Sequence, residues 1–324
     1  MSLKKVVACV KKYNNFLITT HTNPEGDALG SELAFYRLLK KLGKNATIIN
    51  EDSLPSGYDF LPGKEKIKRL KDVLRKKIRF DCFVALDCSD LKRTGEAYRI
   101  NRDNKPILNI DHHISNRRFG DVDWIEPYVS SCSEMIYKLY KKLRLPFDRD
   151  TAICIYVGML TDTASFRYSN TGSATHKAVA ELLKHGLDIP LIYKNTYENI
   201  PFGDMKFLSK ILTRIKRDGG GKIVWFQIEK GLLKKNKLSF DLTDHILSFA
   251  RAIKDVEVVV LFKENLGVKD EVRVNLRSQG KIDVNRIASL FGGGGHRTAS
   301  GATVHGKIED VRRKVLAKIR ESLG

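Results

Sequence analysis

The fold is decided by residues 16–43, which read FLITTHTNPEGDALGSELAFYRLLKKLG. Residues 16–20 form a short apolar run of the kind that is typical of a buried strand. A polar turn over residues 21–27 follows, and apolar residues then recur every three or four positions, as on one face of a helix. Gly43 is expected to end that helix, because glycine readily adopts the left-handed backbone that closes helices. The segment therefore predicts one strand–turn–helix unit of an α/β sheet.

The same pattern of short strands recurs in the first half of the chain. Apolar runs at residues 47–49, 83–86 and 107–110 are separated by segments long enough to be crossovers, which predicts a mostly parallel sheet flanked by helices. Helical patterns follow at about residues 133–143, 151–160 and 173–185, and Gly186 is placed to close the last of them. We therefore expect residues 1–187 to form one α/β domain.

The second half of the chain alternates differently. Residues 188–217 are lysine-rich and helical in pattern, and we interpret them as a helical linker between two domains. Beyond them, strands are predicted near 223–228, 256–262 and 271–276. Helices are predicted near 241–252, 283–290 and 309–322. Residues 218–324 are thus expected to form a smaller α/β domain, and a length of 324 residues also favours two cores.

The composition limits the classes of partner and compartment. The chain has 58 Lys and Arg against 38 Asp and Glu, a formal net charge of +20. This excess favours a polyanionic partner such as nucleic acid, although a generally lysine-rich surface gives the same total. The five cysteines are scattered without C-x-x-C spacing, which favours the reducing cytoplasm. The apolar run at residues 6–10 is too short for a signal peptide or a membrane span, so no membrane association is expected.

Acidic and histidine side chains occur at four places that we expect to be strand ends. They are His21, Glu25, Asp27, Asp87, Asp111, His112, His113 and Asp162. The carboxyl ends of parallel strands share one edge of a sheet, so these side chains are predicted to converge there. Buried carboxylates repel one another unless a cation compensates their charge. Mixed oxygen and imidazole donors suit Mn²⁺ or Mg²⁺, with Co²⁺ and Zn²⁺ as alternatives, and the central Asp87 is our candidate bridge between two ions.

Each of these residues has a simpler interpretation when it is taken alone. A carboxylate that follows a strand is most often a helix N-cap, which would account for Asp27, Asp87 or Asp162. The two adjacent histidines could be hydrogen-bonded side chains at the edge of a core. The joint occurrence of all four groups favours the metal site.

The most unusual string of the chain is Gly292-Gly293-Gly294-Gly295-His296. Consecutive glycines leave backbone N–H groups accessible and allow close approach, a geometry suited to a phosphate or a carboxylate. A flexible surface loop would have the same composition. The string alone does not separate these two interpretations.

Four motifs of this chain resemble those of the DHH phosphoesterase superfamily, in the same order and with similar spacing. They are THTNPEGDALGS at residues 20–31, LDCS at 86–89, DHH at 111–113 and GMLTDT at 158–163. Residues 291–301, FGGGGHRTASG, resemble the signature of the DHH-associated C-terminal domain of that superfamily. The resemblance therefore extends over nearly the whole chain.

The resemblance implies a pair of divalent metal ions, usually Mn²⁺, in the N-terminal domain. It implies that one ion is held by His21, Glu25 and Asp87, and the other by Asp27, Asp87, His112 and Asp162. His113 would face the substrate phosphate and Asp111 would orient the histidines, so that Asp87, Asp111 and His113 form the catalytic set. Family members commonly have aspartate where this chain has Glu25, so the geometry at the first ion is expected to differ.

In the second domain the resemblance implies substrate binding across the cleft between the domains. The implied contacts are Gly293, Gly294, Gly295 and His296 in the glycine string, with Arg277 and Ser278 at a strand end. An arginine is well shaped to bind a terminal phosphate through two hydrogen bonds. A simpler interpretation of Arg277 is an exposed charge at the end of a strand.

The resemblance and the length of the chain together point to the stand-alone nanoRNase branch. Enzymes of that branch degrade very short oligoribonucleotides and often dephosphorylate 3′-phosphoadenosine 5′-phosphate, and relatives commonly dimerise through the N-terminal domain. An alternative is hydrolysis of a linear or cyclic dinucleotide, such as pApA or cyclic di-AMP, in the same site. A third hypothesis is a non-catalytic nucleic-acid-binding protein that retains the fold and the basic surface.

Overall fold

The structure is a computed structural model that describes residues 2–73, 78–236 and 241–324. The chain divides into two compact units, residues 1–199 and residues 200–324, which we call the first unit and the second unit. Each unit is built on one six-stranded sheet with helices and has its own hydrophobic cores. The predicted α/β class is confirmed.

The sheet of the first unit is parallel throughout. Its strands are β1 (Asn15–Thr19), β2 (Asn45–Asn50), β3 (Ile67–Arg69), β4 (Cys82–Leu86), β5 (Ile107–Asp111) and β6 (Val122–Ile125). Their order in the sheet is β3-β2-β1-β4-β5-β6. The direction in which strands are added reverses between β1 and β4, and such a reversal leaves a crevice at the carboxyl ends of the two central strands. The segments that follow β1 and β4 open into this crevice.

Alternate side chains of these strands enter two different cores, since successive residues of a strand point to opposite faces. Phe16, Ile18 and Val84 belong to the larger core, to which the helices also contribute. Leu17 and Phe83 belong to a smaller core. Both faces of the sheet are therefore covered, which explains why its strands are continuous apolar runs in the sequence.

Close helix packing in the first unit brings several helix ends together. Its helices are α1 (Ser2–Lys12), α2 (Gly26–Lys41), α3 (Cys132–Leu143), α4 (Arg149–Asp162), α5 (Ser173–Leu183) and α6 (Ile189–Tyr193). A Cβ atom at Gly30 of α2 would lie 2.3 Å from the carbonyl oxygen of Cys154 in α4. A Cβ atom at Gly158 of α4 would lie 2.0 Å from Oγ of Ser133 at the start of α3. Glycine at these two positions therefore permits the approach of α2, α3 and α4.

The second unit contains a mixed sheet. Its strands are β7 (Lys216–Asp218), β8 (Ile223–Ile228), β9 (Val258–Glu264), β10 (Glu271–Ser278), β11 (Gly294–Gly295) and β12 (Ala299–His305). In the order β11-β12-β10-β9-β8-β7, the pair β8 and β9 is parallel and the other pairs are antiparallel. Its helices are α7 (Phe202–Leu212), α8 (Lys230–Lys235), α9 (Thr243–Arg251), α10 (Val284–Ser289) and α11 (Ile308–Leu323). Helices α10 and α11 contribute to one core, whereas α7 and α9 contribute to another.

Most elements predicted from the sequence are present, with small shifts at their ends. Gly43 and Gly186 both adopt a φ of +70° just beyond α2 and α5, as predicted for residues that close helices. The sequence did not predict helices α1 and α8 or strands β3, β6, β7, β11 and β12, and β7 begins inside the segment 188–217 that was expected to be helical. Strand β3 has three residues and β12 is rich in small and polar residues, so neither carries a clear apolar period.

The segment 188–217 is packed into both units. Helix α6 contributes Ile192 to the larger core of the first unit, whereas α7 contributes Phe207 and Leu208 to a core of the second unit. The boundary between the units falls after residue 199, inside the segment that we interpreted as a linker. Its helical pattern therefore reflects burial in two separate cores. Among the described residues, no helix is long and apolar enough to cross a membrane.

Candidate metal centre and active site

Asp87 lies at the centre of a cluster of donor atoms just beyond the end of β4. Its φ of +53° is uncommon for a residue other than glycine, and such backbone strain is concentrated at functional sites. Oδ2 of Asp87 lies 3.5 Å from Nε2 of His21, and Oδ1 lies 3.5 Å from Nε2 of His112. Its two oxygens thus face histidines that follow different strands, an arrangement from which one carboxylate could bridge two cations.

Nε2 of His112 faces three carboxylates at once. It lies 3.5 Å from Oδ1 of Asp87, 3.4 Å from Oδ2 of Asp162 and 3.7 Å from Oδ2 of Asp27. These distances are longer than an ordinary hydrogen bond. Atoms that bind one cation at about 2.1 Å lie roughly 3 to 3.5 Å apart. The distances from His112 to Asp87 and Asp162 therefore fit donors around a shared ion, and Asp27 lies slightly farther away. These four residues could therefore hold a divalent metal ion.

Two buried oxygens of the cluster support this interpretation. Among the described residues, none donates a hydrogen bond to Oδ1 of Asp87 or to Oδ2 of Asp162. A buried acceptor without a donor costs about 1–3 kcal/mol, and more when it is charged. A cation bound between these oxygens would remove that cost, so the donor set fits a metal.

The charges of this cluster are strongly coupled. Burial raises the pKa of Asp27 to about 6, and the negative charge of Asp87 adds to the effect. Burial and the charges of Asp27 and Asp87 raise the pKa of Asp162 well above its usual value. Burial of Asp87 also opposes ionisation, but the facing imidazoles of His112 and His21 hold its pKa well below the usual range. Asp87 is therefore the carboxylate that keeps its charge most readily.

His113 is oriented by a buried network. Its Nδ1 donates to Oδ1 of Asp111 at 2.7 Å, and the Asp111 side chain is fully buried. Oδ2 of Asp111 accepts a hydrogen bond from Nδ2 of Asn116 at 2.6 Å, and the same nitrogen donates to the carbonyl oxygen of Cys88 at 3.1 Å. This chain of hydrogen bonds fixes the His113 ring and directs Nε2 away from Asp111. Sequence reasoning missed Asn116, whose only signal is its place three residues after His113.

Asp27 also has the capping role of the simpler interpretation, but for another helix. Its Oδ2 accepts from the amide of Cys132 at 2.6 Å and its Oδ1 accepts from the amide of Ser133 at 2.8 Å. These are the first two residues of α3, so Asp27 satisfies backbone amides that α3 leaves open. The same Oδ2 faces His112, so capping and metal binding are compatible at this residue.

Asp162 does not follow a strand, and our expectation of a strand end was wrong here. It is the last residue of α4, and it reaches the cluster because α4 packs closely against α2. Nδ2 of Asn170 donates to the carbonyl oxygen of Asp162 at 3.1 Å and to that of Ser130 at 2.9 Å, which holds the helix end in place. The helix predicted over residues 151–160 ends two residues before Asp162, so it already indicated a helix end at this position.

The two predicted ligands that follow β1 lie in different surroundings. His21 is buried, and its Nδ1 lies 2.8 Å from the carbonyl oxygen of Thr22. Glu25 is exposed at the N-cap position of α2, where its side chain makes no capping bond. The charge of Glu25 contributes to the raised pKa of Asp162, after burial and the nearer charges. The structure thus places Glu25 near the cluster but outside its buried part.

In the second unit, Arg277 is held by a partner that the sequence did not indicate. One guanidinium nitrogen donates to Oδ1 of Asp244 on α9 at 2.7 Å, and the other donates to the carbonyl oxygen of Leu276 at 3.1 Å. The side chain is 16% exposed, so Arg277 is not the exposed strand-end charge of the simpler interpretation. Ser278 is buried, and its hydroxyl approaches the carbonyl oxygen of Arg297 at 3.5 Å.

The glycine string is an ordered arch. The amides of Gly292, Gly293 and His296 donate to the carbonyl oxygens of Ser289, Ala288 and Ala299. These amides are therefore engaged, and the expected row of open N–H groups is absent at these three described positions. Gly294 and Gly295 pair with β12, and a Cβ atom at Gly293 would lie 2.2 Å from the carbonyl oxygen of Gly301. The glycines are required for close approach to β12, and the flexible-loop interpretation is also wrong.

Comparison with known sequence families gives matches in both units. The family described as the DHH family, N-terminal domain, matches residues 15–159. The family described as the DHHA1 domain matches residues 220–323. The first match includes the strand ends that carry His21, Asp87 and His112, and the second includes Arg277 and the glycine string.

Relatives and solved structures agree with these matches. A Thermus thermophilus protein named bifunctional oligoribonuclease and PAP phosphatase NrnA is 29% identical over 311 residues, which cover 94% of this chain and 89% of that protein. A cyclic-di-AMP phosphodiesterase, GdpP, from Geobacillus thermodenitrificans is 24% identical over 316 residues, which cover 93% of this chain but 46% of that protein. The crystal structure of an exopolyphosphatase-related protein from Bacteroides fragilis has a TM-score of 0.86 and 25% identity, and covers 99% of this chain and 96% of that one.

Proposed function

Because the chain belongs to the DHH phosphoesterase superfamily, in its nanoRNase branch, we propose that it hydrolyses short oligoribonucleotides to nucleoside monophosphates. We extend the proposal to the 3′-phosphate of 3′-phosphoadenosine 5′-phosphate, since the Thermus relative carries both activities in its name. The observation that carries the proposal is the approach of Asp27, Asp87 and Asp162 to a single imidazole nitrogen of His112.

We propose that the cluster holds two divalent cations, with Mn²⁺ as first choice and Mg²⁺, Co²⁺ or Zn²⁺ as alternatives. The proposed ligands are His21, Glu25 and Asp87 for one ion, and Asp27, Asp87, His112 and Asp162 for the other. Bound cations supply Lewis acidity toward water and toward the phosphoryl oxygens. The exposed position of Glu25 makes the first of these ion sites the more open one.

The side chains of this proposed site orient the substrate and balance its charge. The neighbouring charge of His113 and its hydrogen bond hold the pKa of Asp111 below its usual value, although burial opposes this. Asp111 therefore stays negative and holds the His113 ring through Nδ1, so that an Nε2–H on this ring would be a donor to a phosphoryl oxygen. Such a donor stabilises the charge that develops on that oxygen in the transition state.

We assign recognition of a terminal phosphate to the second unit. Asp244 and the carbonyl oxygen of Leu276 fix the guanidinium plane of Arg277, and His296 follows the glycine arch. A fixed guanidinium loses less entropy when it binds a phosphate than a mobile side chain does. Gly293, Gly294 and Gly295 shape the arch, and Ser278 lies buried beneath the segment at residues 297–298.

A substrate panel tests the proposal directly. The purified protein is assayed with Mn²⁺ on dinucleotides, longer RNA, cyclic di-AMP and 3′-phosphoadenosine 5′-phosphate, and dinucleotides are expected to be hydrolysed fastest among the RNAs. Linear or cyclic dinucleotides are the second candidate class, and the match to GdpP, which is named a cyclic-di-AMP phosphodiesterase, supports its cyclic member. Activity confined to cyclic di-AMP would overturn our choice in favour of that candidate.

Substitution of Asp87 separates catalysis from binding. We expect Asp87→Ala to lose at least roughly 1,000-fold in turnover while it still binds RNA, because the metal cluster loses its central carboxylate. The matched control is Asp103→Ala, which removes an exposed carboxylate and should leave turnover unchanged. Unchanged RNA turnover in Asp87→Ala would remove the assignment.

Buried oxygens without donors would serve no purpose in a protein that only binds nucleic acid, so we do not favour the hypothesis of a non-catalytic nucleic-acid-binding protein.

We place the protein in the reducing cytoplasm, which suits its five cysteines because all five are free thiols. The homodimer that the family resemblance implies stays a prediction. Sedimentation velocity of the full chain at micromolar concentration would test it.

A further inference from the structure

An exposed aromatic side chain lies beside the metal centre and has no place in the function proposed so far. Tyr128 is 96% exposed and Ile114 is 52% exposed. Tyr128 belongs to the segment that follows β6, and Ile114 directly follows His113. The neighbouring residues Trp124 and Val129 are buried, so Tyr128 and Ile114 are exposed although hydrophobic residues close to them in the sequence are not. Exposed large apolar side chains next to a functional site commonly mark a binding surface.

The backbone places Tyr128 close to the proposed catalytic residues. The carbonyl oxygen of Val129, the next residue, lies 3.5 Å from Nδ1 of His112. The amide of Glu126 donates to the carbonyl oxygen of Asp111 at 3.1 Å. The segment after β6 therefore runs beside the segment after β5, so that Tyr128 and Ile114 lie at the same edge of the sheet as the metal centre.

The turn that carries Tyr128 is braced at its end. The amide of Val129 donates to the carbonyl oxygen of Glu126, and the buried Ser130 donates to Oε2 of Glu134 through both its amide and its hydroxyl. Hydrogen bonds thus fix the backbone on the C-terminal side of Tyr128. A tyrosine side chain has only two χ angles, so it loses little conformational entropy when a ligand stacks on it.

Basic side chains on the neighbouring segment complement a nucleic-acid ligand. Arg117 and Arg118 follow His113 by four and five residues, and both are exposed. Arg117 pairs with Asp90, which follows β4, and the amide of Arg117 donates to the carbonyl oxygen of Ser89. An exposed aromatic residue and nearby basic residues at a phosphoesterase centre suit the bases and phosphates of single-stranded RNA.

We infer that Tyr128, with Ile114 on the neighbouring segment, forms a stacking surface for the base of the nucleotide next to the scissile phosphate. This inference rests on the proposed function, because it assigns a subsite of the same centre. Base–aromatic stacking is tolerant of sequence, since every base has a π-face. The subsite would therefore contribute affinity for short RNA without selecting a particular base.

Kinetics with matched substrates test the inference. A dinucleotide is compared with two analogues in which either the 5′ or the 3′ base has been removed, all with Mn²⁺. Removal of one of the two bases should raise KM about 10-fold with kcat little changed, and Tyr128→Ala should do the same with the complete dinucleotide. When the variant is combined with that analogue, the two increases in KM should not add, because both changes remove the same stacking contact. Tyr128→Phe keeps the ring and should remain close to wild type. The control Phe202→Ala removes an aromatic that is 75% exposed on α7 and should change nothing.

The possible outcomes distinguish a failure of the stacking inference from a failure of the proposed function. Wild-type hydrolysis of RNA combined with an unchanged KM in Tyr128→Ala would overturn the stacking surface and leave the proposed function intact. A wild type that hydrolyses no RNA would overturn the proposed function. Calorimetric binding of the dinucleotide in EDTA would then still test the stacking surface. Equal affinity of wild type and Tyr128→Ala for the dinucleotide would refute it. A change of oligomeric state in Tyr128→Ala would show that the ring contacts a second copy of the chain instead.

Discussion

Glu32 is a buried carboxyl group near the candidate metal centre, and its pKa is raised. It lies on α2, is fully buried, and its Oε2 accepts a hydrogen bond from Nδ2 of Asn50 at 2.8 Å. Within the described part of the chain, its Oε1 has no hydrogen-bond partner. Burial raises the pKa of Glu32 to about 8, the bond from Asn50 opposes this, and the charge of Asp87 adds to it. The folded protein therefore keeps this carboxyl group neutral at pH 7.

The raised pKa of Glu32 makes stability depend on pH. Its ordinary pKa is 4.5, so between pH 4.5 and about 8 the unfolded chain releases a proton that the folded chain retains. The free energy of unfolding then falls as pH rises, by up to about 1.4 kcal/mol per pH unit, and the contribution is complete only below pH 4.5. Glu32→Gln keeps the shape and removes the titration. We expect this variant to gain stability relative to wild type between pH 5 and pH 8.

Denaturant unfolding in EDTA at pH 5 and pH 8 measures this difference. The control is Glu96→Gln, because Glu96 is an exposed carboxylate on the same unit and its replacement should have the same small effect at both pH values. Identical pH profiles for Glu32→Gln and wild type would show that Glu32 is ionised in the folded protein.

We predict that Asn116 positions His113, the proposed catalytic histidine. It donates to Asp111, which accepts from His113, so removal of its amide frees the carboxylate that orients the ring. We expect Asn116→Ala to lower kcat about 10- to 100-fold while metal content stays at the wild-type level. Because the three residues act in one chain, Asp111→Asn and the double variant should show losses that do not add. Loss of bound metal in Asn116→Ala would instead indicate a structural role.

At the scale of elements, the crossing of α2 and α4 determines whether two proposed ligands meet. Asp27 lies at the start of α2 and Asp162 at the end of α4, and the helices cross at Gly30, where an added Cβ atom would lie 2.3 Å from the Cys154 carbonyl oxygen. Because that oxygen belongs to backbone, Gly30→Ala forces the helices apart. We expect a loss of about 1–3 kcal/mol in stability, together with weaker Mn²⁺ binding.

Thermal unfolding and calorimetric Mn²⁺ titration of Gly30→Ala measure both effects. The matched control is Gly203→Ala on α7, where a Cβ atom would meet nothing within 4 Å. Alanine is a better helix former than glycine by about 1 kcal/mol, so this control should be neutral or slightly stabilised. Wild-type Mn²⁺ affinity in a destabilised Gly30→Ala protein would show that the two ligands do not depend on the crossing.

The sequence predicted the elements that carry a strong local signal. Strands β1, β4 and β5 are apolar runs buried on both faces, and parallel pairing then places the residues that follow them at one edge. The convergence of His21, Asp87 and His112 could be expected on that basis. Asp162 was assigned to a strand end together with the other acidic residues, although the predicted helix over residues 151–160 ends two residues before it and α4 ends at Asp162 itself.

The remaining contacts depend on tertiary packing that no local pattern encodes. Asp244 and Arg277 are 33 residues apart and meet because α9 lies over β10, and Asp27 caps α3 across 105 residues. The glycine string was misjudged for a related reason. Its composition permits an open loop, but antiparallel pairing with β12 engages its backbone.

At the scale of the whole molecule, the two units have separate cores and each has one tryptophan. Trp124 is fully buried in the larger core of the first unit, and Trp225 packs against a core of the second unit. The chain has two tryptophans in total. The variants Trp225→Phe and Trp124→Phe therefore leave one fluorescent reporter in one unit each, so that the unfolding of each unit can be followed by itself.

Bound metal should stabilise the unit that supplies its ligands. All six proposed ligands belong to the first unit, and a ligand that binds the folded state at 100 times its Kd adds about 2.7 kcal/mol per site. We expect Mn²⁺ to raise the unfolding midpoint reported by Trp124, and EDTA to reverse that rise, while the midpoint reported by Trp225 stays constant. Asp87→Ala should abolish the rise, because the donor atoms on either side of it no longer share a carboxylate. An equal rise at both tryptophans would mean that the two units unfold as one, and no rise at Trp124 would mean that the first unit binds no metal.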